Sequence, residues 1–200
     1  MQNTGKHVAN LVVAHNFNGE KTTFKNNEDF CKWLINKEHK GYTAIAHNSK
    51  GYDAYFILKY CVENAIKPYT IYSGSKLMLL EVPSIKLKII DSSNFVAGPI
   101  SAFPKTFGLK EMRKGYFPHY FNTLENQDYV GPLHDVKYYG VDTMKDTKEP
   151  DKKSARDIFL DWHTEHKEDV FDFQKEIHAY CNSDVDILRR DCLEFRKCFL

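Results

Sequence analysis

The chain has 200 residues, of which 42% are hydrophobic and 28% charged, and its formal net charge is +1. This composition is that of a globular domain with a hydrophobic core, and it argues against a disordered chain. The near-zero charge excludes binding of nucleic acid through an overall basic field, so any contact with DNA must be local, in a groove.

Cysteine spacing and hydropathy limit the class of protein further. No two of the five cysteines form a C-x-x-C pair, and four lie on predicted helices among apolar neighbours. They are therefore predicted to be reduced, buried thiols of an intracellular protein, without disulfides or a zinc site. The longest apolar run near the start, VANLVVA, is too short to span a membrane, so no membrane partner is expected.

The first half of the chain predicts an α/β fold. Apolar runs and helical spacing indicate a strand over 8–15, helices over 28–37 and 53–64, and further strands over 43–46, 68–74, 76–82 and 85–91. Strands interrupted by helices are typical of a mixed sheet flanked by helices.

The second half predicts a long irregular segment and two helices. Residues 92–150 are rich in aromatic residues, Gly and Pro, and only FGLKEMRKG resembles a short helix. An irregular segment of this length inside a compact domain is usually a functional loop or a lid. After the charged linker DTKEPDKKS (146–154), helices are predicted over 154–166, with Ile158, Phe159 and Trp162 inward, and over 170–199.

The first candidate site is the crossing from strand to helix in AHNSKGYDAYF. Asp53 lies in the first turn of a helix, just after the carboxyl end of a strand, where open α/β sheets tend to bind ligands. Asn48 and Tyr52 lie on the same loop. The alternative is that Asp53 only caps its helix and that Tyr52 belongs to the core.

The second candidate site is on the last helix. Tyr180 and Asp184 are four residues apart, which places both side chains on one face. An acid near a core-facing stripe is costly unless it is paired or binds a metal. The alternative is a half-exposed Asp184 bonded to a neighbouring Lys or Arg.

Together these segments resemble a known family. The pattern N-x3-Y-D (48–53) followed by Y-x3-D (180–184) is similar to the second and third exonuclease motifs of family B DNA polymerases. The text between them, DSSNF, PKTFGL and KGYFPHYFN, resembles the protein-primed subgroup found in organelles, viruses, linear plasmids and Maverick/Polinton mobile elements. The resemblance to the 3′–5′ exonuclease domain of that subgroup covers essentially the whole chain.

The resemblance implies a ribonuclease H-like exonuclease fold and a two-metal site for Mg²⁺ or Mn²⁺. Carboxylates would hold both ions, because these metals prefer hard oxygen ligands. By this resemblance Asp53 and Asp184 are catalytic metal ligands, and Tyr180 orients the attacking water. Lys114 resembles a lysine near the scissile phosphate, with a surface lysine as the alternative.

The resemblance also implies residues that bind the 3′ end of single-stranded DNA. Asn48 and Tyr52 match positions that hold this end, and an aromatic ring can stack on a base. Ser92 resembles a further DNA ligand, although Ser93 follows it where the subgroup usually has Leu.

The first exonuclease motif, D-x-E, does not occur before Asn48, and no palm signature such as Y-x-D-T-D-S is present. The resemblance therefore implies that residues 1–200 are a single, partial exonuclease domain of a larger DNA polymerase, lacking its opening strand and the palm, fingers and thumb. Its metal site would be incomplete and its own activity low. The partners of the larger protein would be a primer–template and a terminal-protein primer, in the nucleus, a mitochondrion or a virus. Two alternatives are an inactive mobile-element remnant that at most binds single-stranded DNA, and a standalone nuclease of the same fold.

Three other groups of residues have simpler interpretations. His163 and His166 have no third ligand at suitable spacing, so two exposed histidines are expected. Asp186 and Asp191 are expected to be surface charges paired with Arg189 or Arg190. The aromatic run over 116–121 is expected to pack rather than to form a platform for bases.

Overall fold

The computed structural model describes residues 8–109, 115–144 and 153–198. Both helices and strands occur along the chain, so the predicted mixed α/β class is confirmed. The chain divides into two compact units, one of Met1–Arg113 and Asp184–Leu200 and the other of Lys114–Ser183. Across the described stretches, none of the helices combines the length and the apolar character needed to cross a bilayer.

The first unit begins with an antiparallel strand pair and a helix. Strand β1 (Val12–His15) pairs with β2 (Lys21–Phe24), so the predicted first strand is confirmed in its second half only. Helix α1 (Asn27–Leu34) begins after Asn26, whose side chain accepts a hydrogen bond from the Asp29 N–H. It ends before the predicted Lys37, because Asn36 caps a separate 3₁₀ turn at that point.

A four-stranded sheet forms the centre of this unit. Its strands are β3 (Thr43–Ala46), β4 (Tyr69–Ser73), β5 (Lys76–Val82) and β6 (Leu87–Asp91), and helix α2 (Asp53–Glu63) follows β3. The order is β3-β6-β5-β4, with β3 and β6 parallel and the other pairs antiparallel. The predicted mixed sheet flanked by helices is confirmed. Strand β6 begins two residues later than predicted, because Lys86 adopts a left-handed conformation with φ 51°.

The core of this unit lies between the sheet and helices α1 and α2. Its fully buried members come from both helices and from β5 and β6: Cys31, Leu34, Ala54, Ile57, Cys61, Leu77, Leu80, Val82, Leu87 and Ile89. Helix α2 ends in a Schellman motif, in which the Ile66 N–H donates to the Cys61 carbonyl at 2.8 Å and the Ala65 N–H to the Val62 carbonyl at 3.3 Å. Ile66 then packs against the core, which fixes the path from α2 to β4.

Helices α3 and α5 add a second core to the first unit. Helix α3 (Phe103–Thr106) contributes Phe103, which packs with Ile187 and Leu188 of α5 (Phe173–Lys197). The short helix predicted for FGLKEMRKG falls mostly on residues outside the described ranges.

The second unit has its own strand pair and aromatic core. Strand β7 (Val130–Pro132) pairs antiparallel with β8 (Val170–Asp172). The predicted last helix is therefore wrong over its first three residues, which form a strand because 130–132 offers them a partner. Helix α4 (Ala155–His166) starts as predicted, with a capping box between Ser154 and Asp157.

Helix α4 packs on residues 139–141 through its aromatic side chains. Phe159 is fully buried against Tyr139 and Val141, and Trp162 packs at the edge of this core. The prediction that Ile158 points inward is wrong, since it is exposed. All five cysteines are free thiols, as predicted, but only Cys31 and Cys61 are buried, and Cys198 is exposed.

Candidate functional site at the ends of the parallel strands

Two parallel neighbours, β3 and β6, end level with each other. Their register pairs Ala46 with Asp91, so the residues that follow each strand meet at one edge of the sheet. The Asp91 carboxylate is 1% exposed and accepts three backbone hydrogen bonds there. Its Oδ1 accepts from the N–H groups of Asn48 at 2.9 Å and Ser93 at 2.8 Å, and its Oδ2 accepts from Lys50 N–H at 2.9 Å.

These hydrogen bonds determine the charge state of Asp91. Burial alone would favour the neutral acid, but the hydrogen bonds from Lys50, Ser93 and Asn48 outweigh it and hold the pKa of Asp91 below its ordinary value. The carboxylate is therefore ionised and already bonded through both oxygens.

Asn48 leads out of β3 in a left-handed conformation, with φ 58° and ψ 24°. Asparagine tolerates this region better than most residues. A 3₁₀ turn over Ser49–Gly51 follows, and a Cβ on Gly51 would lie 3.8 Å from Oδ1 of Asn48. The predicted loop thus exposes Asn48 and Tyr52 on either side of a tight turn.

Asp53 is the first residue of α2, and the N-cap position is occupied by Tyr52. Asp53 is therefore not the N-cap residue, although its acid lies in the first turn, where the helix dipole favours a negative charge. Desolvation by the surrounding protein and the nearby charge of Asp91 nevertheless raise the pKa of Asp53, although the residue as a whole is exposed.

Tyr52 is 47% exposed, so it is not a core residue. Its ring forms a T-shaped pair with Phe56, with ring centroids 5.1 Å apart and planes at 74°. Its pKa is raised by desolvation and by the charge of Asp53.

Ser92 is only 5% exposed, and its hydroxyl lies 2.9 Å from Nδ1 of His47. The His47 Nε2 lies 3.0 Å from the Gly98 carbonyl oxygen, which can only accept, so Nε2 carries the proton. In the neutral ring Nδ1 accepts from Ser92. Sequence reasoning missed His47, and its position directly before Asn48 was the available signal.

Helix α5 contains Asp184, which belongs to the first unit and is half-buried. Two residues further on, Asp186 accepts hydrogen bonds from the Arg189 guanidinium, the shorter at 2.8 Å. The Oδ1 of Asp186 also lies 3.8 Å from Nδ1 of His15, whose side chain is buried. The predicted pairing of Asp186 with Arg189 is confirmed. Arg189 also donates to the Phe17 carbonyl, so this group joins α5 to the β1–β2 turn.

Asp191 differs from the prediction. It is 2% exposed, and neither carboxylate oxygen has a hydrogen-bond partner in the described part of the chain. Burial raises its pKa to about 7, with a smaller opposing effect from Arg190. The expectation of a paired surface charge is wrong, because the residue one turn on from Leu188 faces the protein interior.

Tyr180 lies in the second unit, four residues before Asp184 on the same helix, as the spacing predicted. Its hydroxyl is 3.3 Å from Nε2 of His119, and its ring packs against Phe117 with centroids 5.4 Å apart. Phe117 and Phe121 are buried, as the packing interpretation predicts, whereas Tyr120 is exposed. Lys114 lies outside the described residues.

His163 and His166 are half-buried rather than exposed. His163 Nε2 donates to the His134 carbonyl at 2.6 Å, and His166 Nδ1 donates to the Trp162 carbonyl at 2.7 Å. The His163 bond joins helix α4 to residue 134, whereas the His166 bond stays inside the helix.

The donors at the strand ends suit a divalent cation in type but not in number. Carboxylate oxygen is the ligand that Mg²⁺ and Mn²⁺ prefer, and Asp53 presents one. Asp91 is less suited to add another, because it is 1% exposed and three backbone N–H groups use most of its lone-pair sites. Among the described residues, no group of three or more His, Cys, Asp and Glu side chains is arranged to hold a metal ion.

Comparison with known proteins gives the class of protein to which this fold and site belong. The family model described as DNA polymerase type B, organellar and viral, matches residues 34–199. The chain therefore belongs to the organellar and viral type B DNA polymerases, as the exonuclease-like motifs predicted.

The chain is also similar to a curated relative from Agaricus bitorquis, named as a probable DNA polymerase, with 27% identity over 113 residues. The match covers 54% of this chain and 14% of that relative, so the chain spans a small part of the length of that protein. No solved structure matches the chain.

Proposed function

We propose that this chain is a 3′–5′ exonuclease module, of ribonuclease H-like fold, in a type B DNA polymerase, and that it binds the 3′ end of single-stranded DNA. The observation that carries the proposal is the loop after β3. It presents Asn48, Tyr52 and Asp53 together, at the sheet edge where β6 also ends, in a chain of this polymerase family.

Each residue of the loop has a role that its chemistry allows. The exposed Asn48 amide can donate to a phosphate or sugar oxygen and accept from the terminal hydroxyl. The exposed ring of Tyr52 can stack on the last base or sugar. The local character of these contacts agrees with a chain whose net charge is only +1.

Asp53 is the described acid best placed to bind a divalent cation at that end. Mg²⁺ or Mn²⁺ would supply an activated water and stabilise the leaving oxygen. The raised pKa of Asp53 means that its ionised form is disfavoured where it lies. A cation or a basic side chain of the polymerase would stabilise that ionised form. The roles of Asp184, Tyr180 and Lys114 in hydrolysis stay predictions, as does that of Ser92 in DNA binding.

DNA binding is tested by fluorescence anisotropy on the full chain. The probes are a labelled oligothymidylate of about 12 nucleotides with a free 3′ end and a hairpin in which the same end is base-paired. We expect the single strand to bind about tenfold more tightly, a preference that is lost in Asn48→Ala.

Cation binding is measured by Mn²⁺ titration with electron paramagnetic resonance. We expect Asp53→Asn to weaken Mn²⁺ binding. The matched control is Asp29→Asn, which removes an exposed acid from the first turn of α1 in the same unit. Equal affinity for the single-stranded and paired ends, together with equal Mn²⁺ binding by both variants, would contradict the proposal.

A further inference from the structure

We infer that Asp91 is a positioning residue, whose carboxylate sets the conformation of the loop carrying Asn48, Tyr52 and Asp53 without itself touching DNA or a cation. The part of this inference that concerns DNA rests on the proposed function. The part that concerns the loop rests on the hydrogen bonds of Asp91 alone.

The carboxylate joins two segments that are distant in sequence. Its Oδ1 accepts from the N–H of Asn48 and its Oδ2 accepts from the N–H of Lys50, both at 2.9 Å. The N–H of Ser93, two residues after Asp91, also donates to Oδ1. Such charge-assisted bonds to backbone N–H groups are stronger than neutral ones. Because Asp91 is 1% exposed, water has little access to replace it as their acceptor.

The N–H groups of Asn48 and Lys50 belong to the part of the loop with the most unusual backbone conformation. Asn48 has φ 58°, and the Ser49–Gly51 turn follows at once. Short turns of this kind do not hold themselves in one conformation, because one turn supplies few hydrogen bonds. The bidentate acceptor fixes the N–H groups at positions 48 and 50, and it thereby fixes the direction in which the chain enters α2.

Neighbouring contacts join the same two segments. His47 bonds Ser92, and the Lys50 ammonium lies 3.5 Å from Oδ1 of Asn94. Residues 47, 48 and 50 are thus each tied to a residue between 91 and 94. Asp91 is the central link, since it is the only one of these contacts with an ionised, fully buried acceptor for two loop N–H groups.

A role for Asp91 as a metal ligand does not fit this geometry. Three backbone donors use three of the roughly four lone-pair sites of its two oxygens. Turning the carboxylate towards a cation would take this charged acceptor away from the N–H groups of Asn48 and Lys50. The two acids at this edge therefore have different roles. Asp91 fixes the conformation of the loop, and the loop positions Asp53.

The test compares wild type with Asp91→Asn in the full chain. The amide group of asparagine places an NH₂ donor where one carboxylate oxygen accepted, so one loop N–H loses its partner. We expect hydrogen exchange, measured by NMR, to be at least about tenfold faster at whichever of Asn48 and Lys50 faces the new NH₂ group, with the Leu80 amide of β5 unchanged. We also expect affinity for the single-stranded oligothymidylate to fall by about tenfold.

The matched control is Val82→Ala, which destabilises the same sheet from its fully buried core without touching the loop. It should leave both the exchange of the loop amides and the DNA affinity as in wild type. Unchanged loop exchange in Asp91→Asn, or an equal loss of affinity in Val82→Ala, would overturn the inference. If wild type binds no single-stranded DNA, the proposed function fails, and the exchange data still decide whether Asp91 holds the loop.

Discussion

Asp53 and Asp91 are neighbouring acids whose pKa values are displaced in opposite directions. Desolvation and the charge of Asp91 raise the pKa of Asp53, whereas the backbone hydrogen bonds of Asp91 outweigh its burial and lower its own pKa. The difference follows from the donors: within the described ranges Asp91 accepts three backbone N–H groups, whereas Asp53 is stabilised by that of its own backbone. The fold thus stabilises Asp91 as an anion, whereas the charge of Asp53 would be stabilised by a bound cation.

The first prediction concerns the stability of the Asp53→Asn variant. A folded-state pKa above the unfolded value means that ionised Asp53 disfavours folding, and this effect grows as the pH rises through the folded pKa. We therefore expect Asp53→Asn to raise the free energy of unfolding at pH 7, by less than ~1 kcal/mol because the residue is exposed and solvent screens it. Urea denaturation at pH 7 and pH 4 measures this, and an equal gain at both pH values would count against it.

The second prediction separates a DNA-binding tyrosine from an exposed one. Tyr52→Ala should lower the affinity for single-stranded oligothymidylate by ~1–3 kcal/mol, the usual contribution of one base stacked on an aromatic ring. Tyr69→Ala is the control, since Tyr69 is 55% exposed on the edge strand β4. Anisotropy titrations of both variants measure this, and an equal loss of DNA affinity in the two would show that Tyr52 makes no specific contact.

The third prediction concerns the buried carboxyl of Asp191. Its pKa of about 7 in the folded chain lies above the ordinary 3.8. The neutral acid below pH 4 therefore does not destabilise the fold, and the free energy of unfolding falls as the pH rises to about 7. The corresponding loss is up to ~4 kcal/mol. We expect Asp191→Asn to remove most of this pH dependence and to be more stable than wild type at pH 8.

Chemical denaturation of the Asp191 variant between pH 4 and pH 8 gives the required curve. Glu38→Gln, which removes an exposed acid from the same unit, is the control and should follow wild type at every pH. A wild-type stability that rises steadily from pH 4 to pH 8, with the same slope in Asp191→Asn, is the opposite of what we expect.

The fourth prediction uses the end of helix α2. Ala65 occupies the left-handed position of the Schellman motif with φ 54°, where glycine is usual. Ala65→Gly should therefore raise stability by ~1 kcal/mol, since it relieves the contact between Cβ and the backbone. Ala54→Gly, inside the same helix, should instead lower it by about the same amount. Thermal unfolding of the pair distinguishes relief of strain from a general effect of glycine.

The elements with strong local signals could be predicted from the sequence. Helix α2, strand β5 and the start of α4 were predicted nearly to the residue, because apolar periodicity and a capping box specify them locally. Strand β8 was missed, since its three residues are extended only because Val130–Pro132 pairs with them. A pairing between distant segments has no local sequence signal.

The loop that carries the candidate site could be predicted from the sequence, whereas its geometry could not. The motif identified Asn48, Tyr52 and Asp53 as one loop, and the structure presents them on one turn. It did not identify Asp91 or His47, because their roles depend on the register of β3 against β6. Asp191 was misjudged for a similar reason: helical spacing shows which residues share a face, but not how deep that face lies.

The edge strand β4 has a consequence for the behaviour of the protein in solution. It forms one side of the four-stranded sheet and exposes Tyr69, Ile71 and Tyr72. A strand edge with free backbone groups and large apolar side chains is prone to pair with the same edge of a second molecule. Concentrated samples are therefore expected to self-associate, and replacing Ile71 with lysine is the simplest way to keep the chain monomeric during binding measurements.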